Sequence, residues 1–302
     1  MKWSAPRKTP LHMLLMVLLC WGVAPVGQAR TTEANPVFYR LEHLGQTLYL
    51  LGSIHVGQAS FYPMHRLIES AFAGADTLVV EVDIRQPISA QQLIKYGKVT
   101  PPAQLPATTQ ALLAQYCQPR QAFCQSLKPW APWLQSLQIG MMRYQTLGYQ
   151  AQFGVDLYWL NQAADKRVLA LETSDFQLGL LASFTDPTQD YLMIQAISAS
   201  DADMLALVDA WYEGDDEQLV ELSQTQVLAY QQQSLVERLL WQRNHTMAQG
   251  LLEIMSQHQG QAPIFAVIGA AHVVGPKSVV SILVERGGRL IDCRLEPKRC
   301  GS

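Results

Sequence analysis

Basic residues never gather in this sequence. Beyond the first twenty-nine positions, 19 basic side chains are scattered among 25 acidic ones, a balance of −6. That excludes the footprint of a nucleic-acid binder and any polybasic patch for anionic lipid. Long apolar runs are missing too: after position 30 no segment approaches the roughly 20 apolar residues that a membrane span needs. Familiar catalytic signatures are also absent. There is no HExxH for a zinc peptidase, no GxSxG nucleophile turn, no Walker loop and no GxGxxG dinucleotide turn. Cysteine is scarce, with five residues in 302, and one of these lies in the first thirty.

Those thirty read as a secretory signal. Lys2, Arg7 and Lys8 precede the apolar run LHMLLMVLLCWGVAPV, and Gly27-Gln28-Ala29 supplies the small residues of a cleavage site. Cys20 follows two leucines, not the small residue that lipidation wants. Residues 1–29 are therefore expected to be removed, leaving a soluble periplasmic or secreted product of 273 residues. That length suits one domain, 30–302. Export permits disulfides, and the remaining cysteines form two local pairs of equal spacing, Cys117 with Cys124 and Cys293 with Cys300. Of three connectivities this one closes only short loops. The Cys-x6-Cys spacing is looser than structural zinc sites use.

The chain predicts an α/β fold. Val37–Leu41 and Gln46–Leu51 read as a hairpin around Glu42–Gly45, followed by a helix over Pro63–Ala75 and a buried strand over Asp76–Asp83. Residues 88–260 read as a largely helical insertion. It holds a helix over Gly154–Asp165, a short strand over Arg167–Leu171, and a break at Gly214 where Asp215-Asp216 can cap a new helix. The Gln224–Gln233 patch reads as a solvated helix face. Ile264–Ile268 then forms a strand, Ser278–Arg286 a helix and Arg289–Arg294 a last strand. Strand–Gly-x-x-His–helix thus occurs once near each end, as LYLLGSIHVG and IFAVIGAAHVVG. A mixed sheet built from both ends follows.

Ligands of open α/β sheets bind beyond the carboxyl ends of strands, where His55 and His272 fall. A single histidine there is ordinarily a satisfied loop or core residue; two in matched contexts point to function. Glu81 sits in the buried run LVVEVD, and a buried carboxylate is costly unless paired or metal-bound. Glu172 ends VLALE and meets the same argument less forcefully, and Asp83 reads as a turn cap. Ser53, two residues before His55, could face the same cleft as a nucleophile, ranked below metal chemistry because no strained nucleophile turn is visible. Arg243 is a candidate clamp on an anion or carbonyl, against the alternative of a surface ion pair. His43, His65, His245 and His258 read as ordinary surface residues.

In order along the chain stand LLGSIH, VVEVD, GVDLYW, LETSDFQ, a Trp-Tyr-Glu-Gly-Asp segment, RN before a helix, and VIGAAHVVG. Together they resemble the TraB/GumN family, which includes the Tiki membrane proteases, from about Phe38 to Asp292. The resemblance implies a metal-dependent, peptidase-like hydrolase with His55, His272 and Glu81 as ligands. It implies manganese or cobalt, with zinc as the other candidate, because borderline cations suit mixed imidazole and carboxylate donors. Glu81 or Glu172 would act as general base and Arg243 would steady an oxyanion; spacing leaves open which glutamate holds metal. The substrate is expected to be a peptide or small molecule. The other reading is a periplasmic protein that sequesters a peptide or a haem-like ligand without turnover.

Overall fold

A computed structural model describes residues 33–301 apart from 102, 259 and 261. The expected signal peptide lies outside the described residues. Six strands form one mixed sheet in the order β4-β3-β5-β2-β1-β6: β1 Phe38–His43, β2 Gln46–Ser53, β3 Thr77–Val80, β4 Arg167–Ala170, β5 Ile264–Gly269 and β6 Arg289–Asp292. Strands β2, β5, β3 and β4 run parallel, while β1 is antiparallel to both β2 and β6. The two strands that carry the Gly-x-x-His motifs are neighbours, with Gly52 opposite Ile268 and Ser53 opposite Gly269. Strand β3 is buried throughout and β5 from Ile264 to Ile268, as continuous apolar runs covered on both faces should be.

Several boundaries move from the sequence expectation. The hairpin turn is only Leu44-Gly45, with φ of 49° and 80°, so β1 runs on to His43, while β2 lengthens at its other end, to Ser53. Positive φ at both turn residues matches the right-handed twist of the flanking strands. The helix expected at Pro63 starts at Arg66, where His65 accepts a hydrogen bond from the Leu67 amide. Strand β3 stops at Val80, which leaves Glu81 as the first residue beyond it, not inside it. Helix Asp201–Glu213 ends on Gly214, and Asp215 caps the next helix by accepting from the Gln218 amide. Two corrections concern polar residues. Gln224 is 2% exposed and bonded to Trp241 and the Val274 carbonyl, so it is not part of a solvated face. His258 is likewise no surface residue: its ring meets the Ala262 carbonyl and Asp76.

The main core packs Trp159, Phe72 and Phe265 against one another, and Trp211 donates its indole N–H to the Gly52 carbonyl at the end of β2. The helical segment adds two smaller apolar clusters, one around Trp133 and Leu178 and one around Ile139 and Met193. The cysteines sit at disulfide distance in the expected connectivity. Cys117 is joined to Cys124, and Cys293 is joined to Cys300. The first bridge ties the last residue of helix Ala107–Cys117 to the following helix, Gln121–Leu127, in which Cys124 lies. Both cysteines of that bridge therefore belong to the helical insertion, apart from the sheet. Among the described residues no single helix is long and apolar enough to cross a membrane.

Candidate active site at the carboxyl ends of the parallel strands

Strands β2 and β5 end together at Ser53 and Gly269, and β3 and β4 end together at Val80 and Ala170, opposite Val267. Backbone pairing carries β4 one step further, from the Leu171 amide to Val80 and from the Glu172 amide to Glu81, so both carboxylates emerge side by side. The loop after β2 is fixed by a second segment. Val155 N–H donates to the Ile54 carbonyl, and Gly57 and Gln150 exchange two backbone hydrogen bonds. This brings helix Val155–Gln162 onto the loop and places Asp156, in its first turn, beside His55. Asp156 Oδ1 accepts from Ser53 Oγ at 2.8 Å, and Oδ2 lies 3.0 Å from His55 Nδ1. The carboxylate raises the His55 pKa by charge and hydrogen bond, against desolvation. Water moderates that effect, since 73% of the side chain is accessible.

His272 is the buried counterpart. It lies in the single turn Ala270–Val273 directly after β5 and is 5% exposed. Its Nδ1 is 2.6 Å from Asn244 Oδ1, and the Asn244 amide nitrogen donates to the Lys277 carbonyl. That second bond fixes Oδ1 as the acceptor, so His272 carries its proton on Nδ1 and leaves an Nε2 lone pair. Burial, reinforced by the Arg243 charge, brings the ring down to about 4 despite the nearby Glu81, so it is neutral near pH 7. Nε2 points toward Glu81 Oε1, 3.9 Å away.

Arg243 ties the two glutamates together. Its Nε and Nη2 reach Glu172 at 2.9 and 2.8 Å, and Nη2 also reaches Glu81 Oε2 at 2.9 Å. A π-helical turn over Glu237–Trp241 precedes it, and Arg243 Nη1 donates to the Leu239 carbonyl within that turn. Gln177 spans Glu172 and Glu81, at 2.9 and 3.4 Å. Glu81 Oε1 accepts from the Gly269 amide at 2.6 Å. Burial alone would raise the Glu81 carboxyl; His272, Arg243, His55 and the Gly269 amide outweigh it and hold it at about 2. A Cβ on Gly269 would stand 3.0 Å from that same oxygen, so glycine here leaves room for the carboxylate.

These groups floor a cavity of about 390 Å³. His55, His272, Glu81 and Arg243 all line it, as do Ser53 and Gln177. Glu172 does not; it sits behind Arg243 with both oxygens engaged. Ser53 faces the cavity but gives its proton to Asp156, and Asp83 lies apart, paired with Arg85. Sequence reasoning missed Asp156, Asn244 and Gln177. Each stands in a segment that carried the resemblance, GVDLYW, RN and LETSDFQ, yet an isolated Asp, Asn or Gln in a helix carries no local sign of what it will touch.

A family model for TraB/PrgY/gumN matches residues 37–290, most of the chain. The chain belongs to the TraB/PrgY/gumN family. No curated protein and no solved structure is significantly similar to it. Membership raises the question of a metal. The donor chemistry suits a borderline divalent cation: two imidazoles whose Nδ1 atoms are anchored by a carboxylate and an amide oxygen, with a carboxylate beside them. Among the described residues no three such side chains are drawn close enough to form a finished ligand shell. The donors fit in kind, and two of their supporting partners are already in place.

Proposed function

We propose that this TraB/PrgY/gumN chain is an exported hydrolase of amide bonds that works with a divalent cation. Manganese or cobalt is favoured and zinc is the other candidate. His55 and His272, through Nε2, and Glu81 would hold the ion. A cation of this class supplies electrophilic polarisation of a carbonyl and acidifies water. Asp156 orients His55 and Asn244 orients His272, so each ring presents one nitrogen to the cavity. Glu81 is the carboxylate that lines the cavity, so it takes the roles that spacing left shared with Glu172. Glu172, itself bonded by Gln177, holds Arg243 where its guanidinium can meet an oxyanion. In the reaction, water oxygen joins the carbonyl carbon, the C–N bond breaks and the amine leaves with a proton.

The observation that supports this reading is the pair of anchored histidines from opposite chain ends facing one cavity. Metal analysis and calorimetric titration of the mature protein with manganese and cobalt test it. The wild type should take up the ion, and a His55→Ala/His272→Ala variant should not. Equal uptake by both would overturn the proposal. The apolar walls also suit a sequestering protein, and Glu81→Gln separates the two readings. A hydrolase loses turnover and keeps ligand; a binder changes only in affinity.

A further inference from the structure

The cavity is polar at its floor and mostly apolar along its walls. Its walls come from helices Pro132–Thr146, Ser174–Ala182 and Asp201–Glu213 and from the two π-turned helices. They present Leu180, Leu181, Leu207 and Leu239, each only half-buried although it faces inward, and Met141 at the rim. Half-buried leucines around a cavity of this size leave apolar surface for a ligand to cover. The track continues outward. Leu137 and Met141, one turn apart on helix Pro132–Thr146, are both exposed, at 46% and 39%.

Polar partners on these walls are few and already used. Ser223 donates its hydroxyl proton to the Leu219 carbonyl, and Tyr144 to the Met204 carbonyl. Helix backbones satisfy their own N–H and C=O groups. Neither edge strand of the sheet, β4 or β6, contributes a residue to the cavity lining. A peptide backbone running along these walls would therefore lose water from its amides without replacement, at a cost of about 1–3 kcal/mol for each unpaired group. A hydrocarbon chain needs no such partners.

We infer that the group seated in this cavity is an unbranched acyl chain, so that the bond presented to the floor is that of an N-acyl amide. This rests on the amide-hydrolase reading, but the cavity's preference for the chain does not require turnover. The carbonyl would lie at the polar end, over Glu81, His55 and His272, and the tail would run past Leu181 and Leu207 toward Met141. Cleavage adds water oxygen to the acyl carbon and breaks the C–N bond; both water protons end on the leaving nitrogen, so a fatty carboxylate and a protonated amine are released.

Binding to metal-free mature protein tests this separately from catalysis. Butanoate, hexanoate, octanoate and decanoate would be titrated by calorimetry, with the apolar peptide trileucinamide as competitor. Affinity should rise by about three- to fourfold per methylene while the chain stays within the walls. Leu181→Trp and Leu207→Trp should each shorten the longest chain accepted, with butanoate unaffected and circular dichroism confirming the fold. Where a variant does not fold, the wild-type series decides alone. Affinity independent of chain length, or trileucinamide binding more tightly than decanoate and displacing it, would overturn the inference. Chain-length-dependent binding without hydrolysis of any N-acyl amide, metal supplied, would overturn the hydrolase reading and leave this one standing.

Discussion

One carboxylate serves both the last residue of β2 and the histidine just beyond it. Asp156 accepts from Ser53 and holds the His55 ring, so it decides which imidazole nitrogen faces the cavity. Asp156→Asn keeps the shape and removes the charge. The His55 pKa should then fall, read by NMR titration, and metal affinity should drop by about 10- to 100-fold, as loss of such supporting partners typically causes. Arg243 has the opposite task, neutralising two carboxylates that are less than a tenth exposed. Arg243→Ala would leave both without a countercharge and should cost about 3–5 kcal/mol in denaturant unfolding. Arg243→Lys should not restore it, because one ammonium cannot reproduce the forked contacts. For Glu81 the folded pKa lies below the ordinary 4.5, near 2. Its ionised form therefore contributes stability above about 4.5, lost as pH falls from there toward 2. Unfolding midpoints followed from neutral to acid pH should fall less steeply for Glu81→Gln than for wild type.

At the scale of elements, the site exists because β2 and β5 are paired in parallel and end together. Their Gly-x-x-His motifs are not equivalent once folded. After β5 the chain turns at once into Ala270–Val273 and buries His272, whereas after β2 it stays irregular and leaves His55 accessible. Gly269 joins the two halves by donating to Glu81 while offering no Cβ. Its φ of −49° is open to any residue, so a substitution there acts through crowding, not backbone strain. Gly269→Ala should destabilise by about 1–3 kcal/mol as an overpacked site does. It should also shift Glu81, visible as weakened metal uptake, while far-UV circular dichroism stays unchanged. The buried runs of β3 and β5, the Gly214 break and the Asp215 cap were legible because each depends on neighbours within a few residues. The ends of β3 and of the hairpin strands were misjudged because pairing, not propensity, sets where a ladder stops.

For the whole molecule, the chain ends meet at the sheet while the middle supplies the roof of the cavity. The carboxyl end is secured there: Cys293 and Cys300 are buried in the main core, and Tyr49 donates its hydroxyl to the Cys300 carbonyl. Closing a loop of seven residues restrains the unfolded chain by about 2 kcal/mol. Cys293→Ala/Cys300→Ala should lower stability by about that amount in urea unfolding, with metal uptake retained, since the disulfide lies away from the cavity lining. The α/β class, the pairing of Cys117 with Cys124 and of Cys293 with Cys300, and the two histidines that line the cavity were all readable along the chain, because alternation, spacing and glycine placement are written locally. The sequence by itself also singled out Glu81, since a carboxylate in an apolar run is conspicuous wherever it lies. Only the tertiary structure decided that Asp156 and Asn244 anchor those histidines, that Glu172 stands behind Arg243, and that the cavity is walled by leucines. Those facts depend on residues between 28 and 103 positions apart being brought within hydrogen-bond reach. No local pattern encodes contacts of that range; the packing of helices onto strand ends creates them.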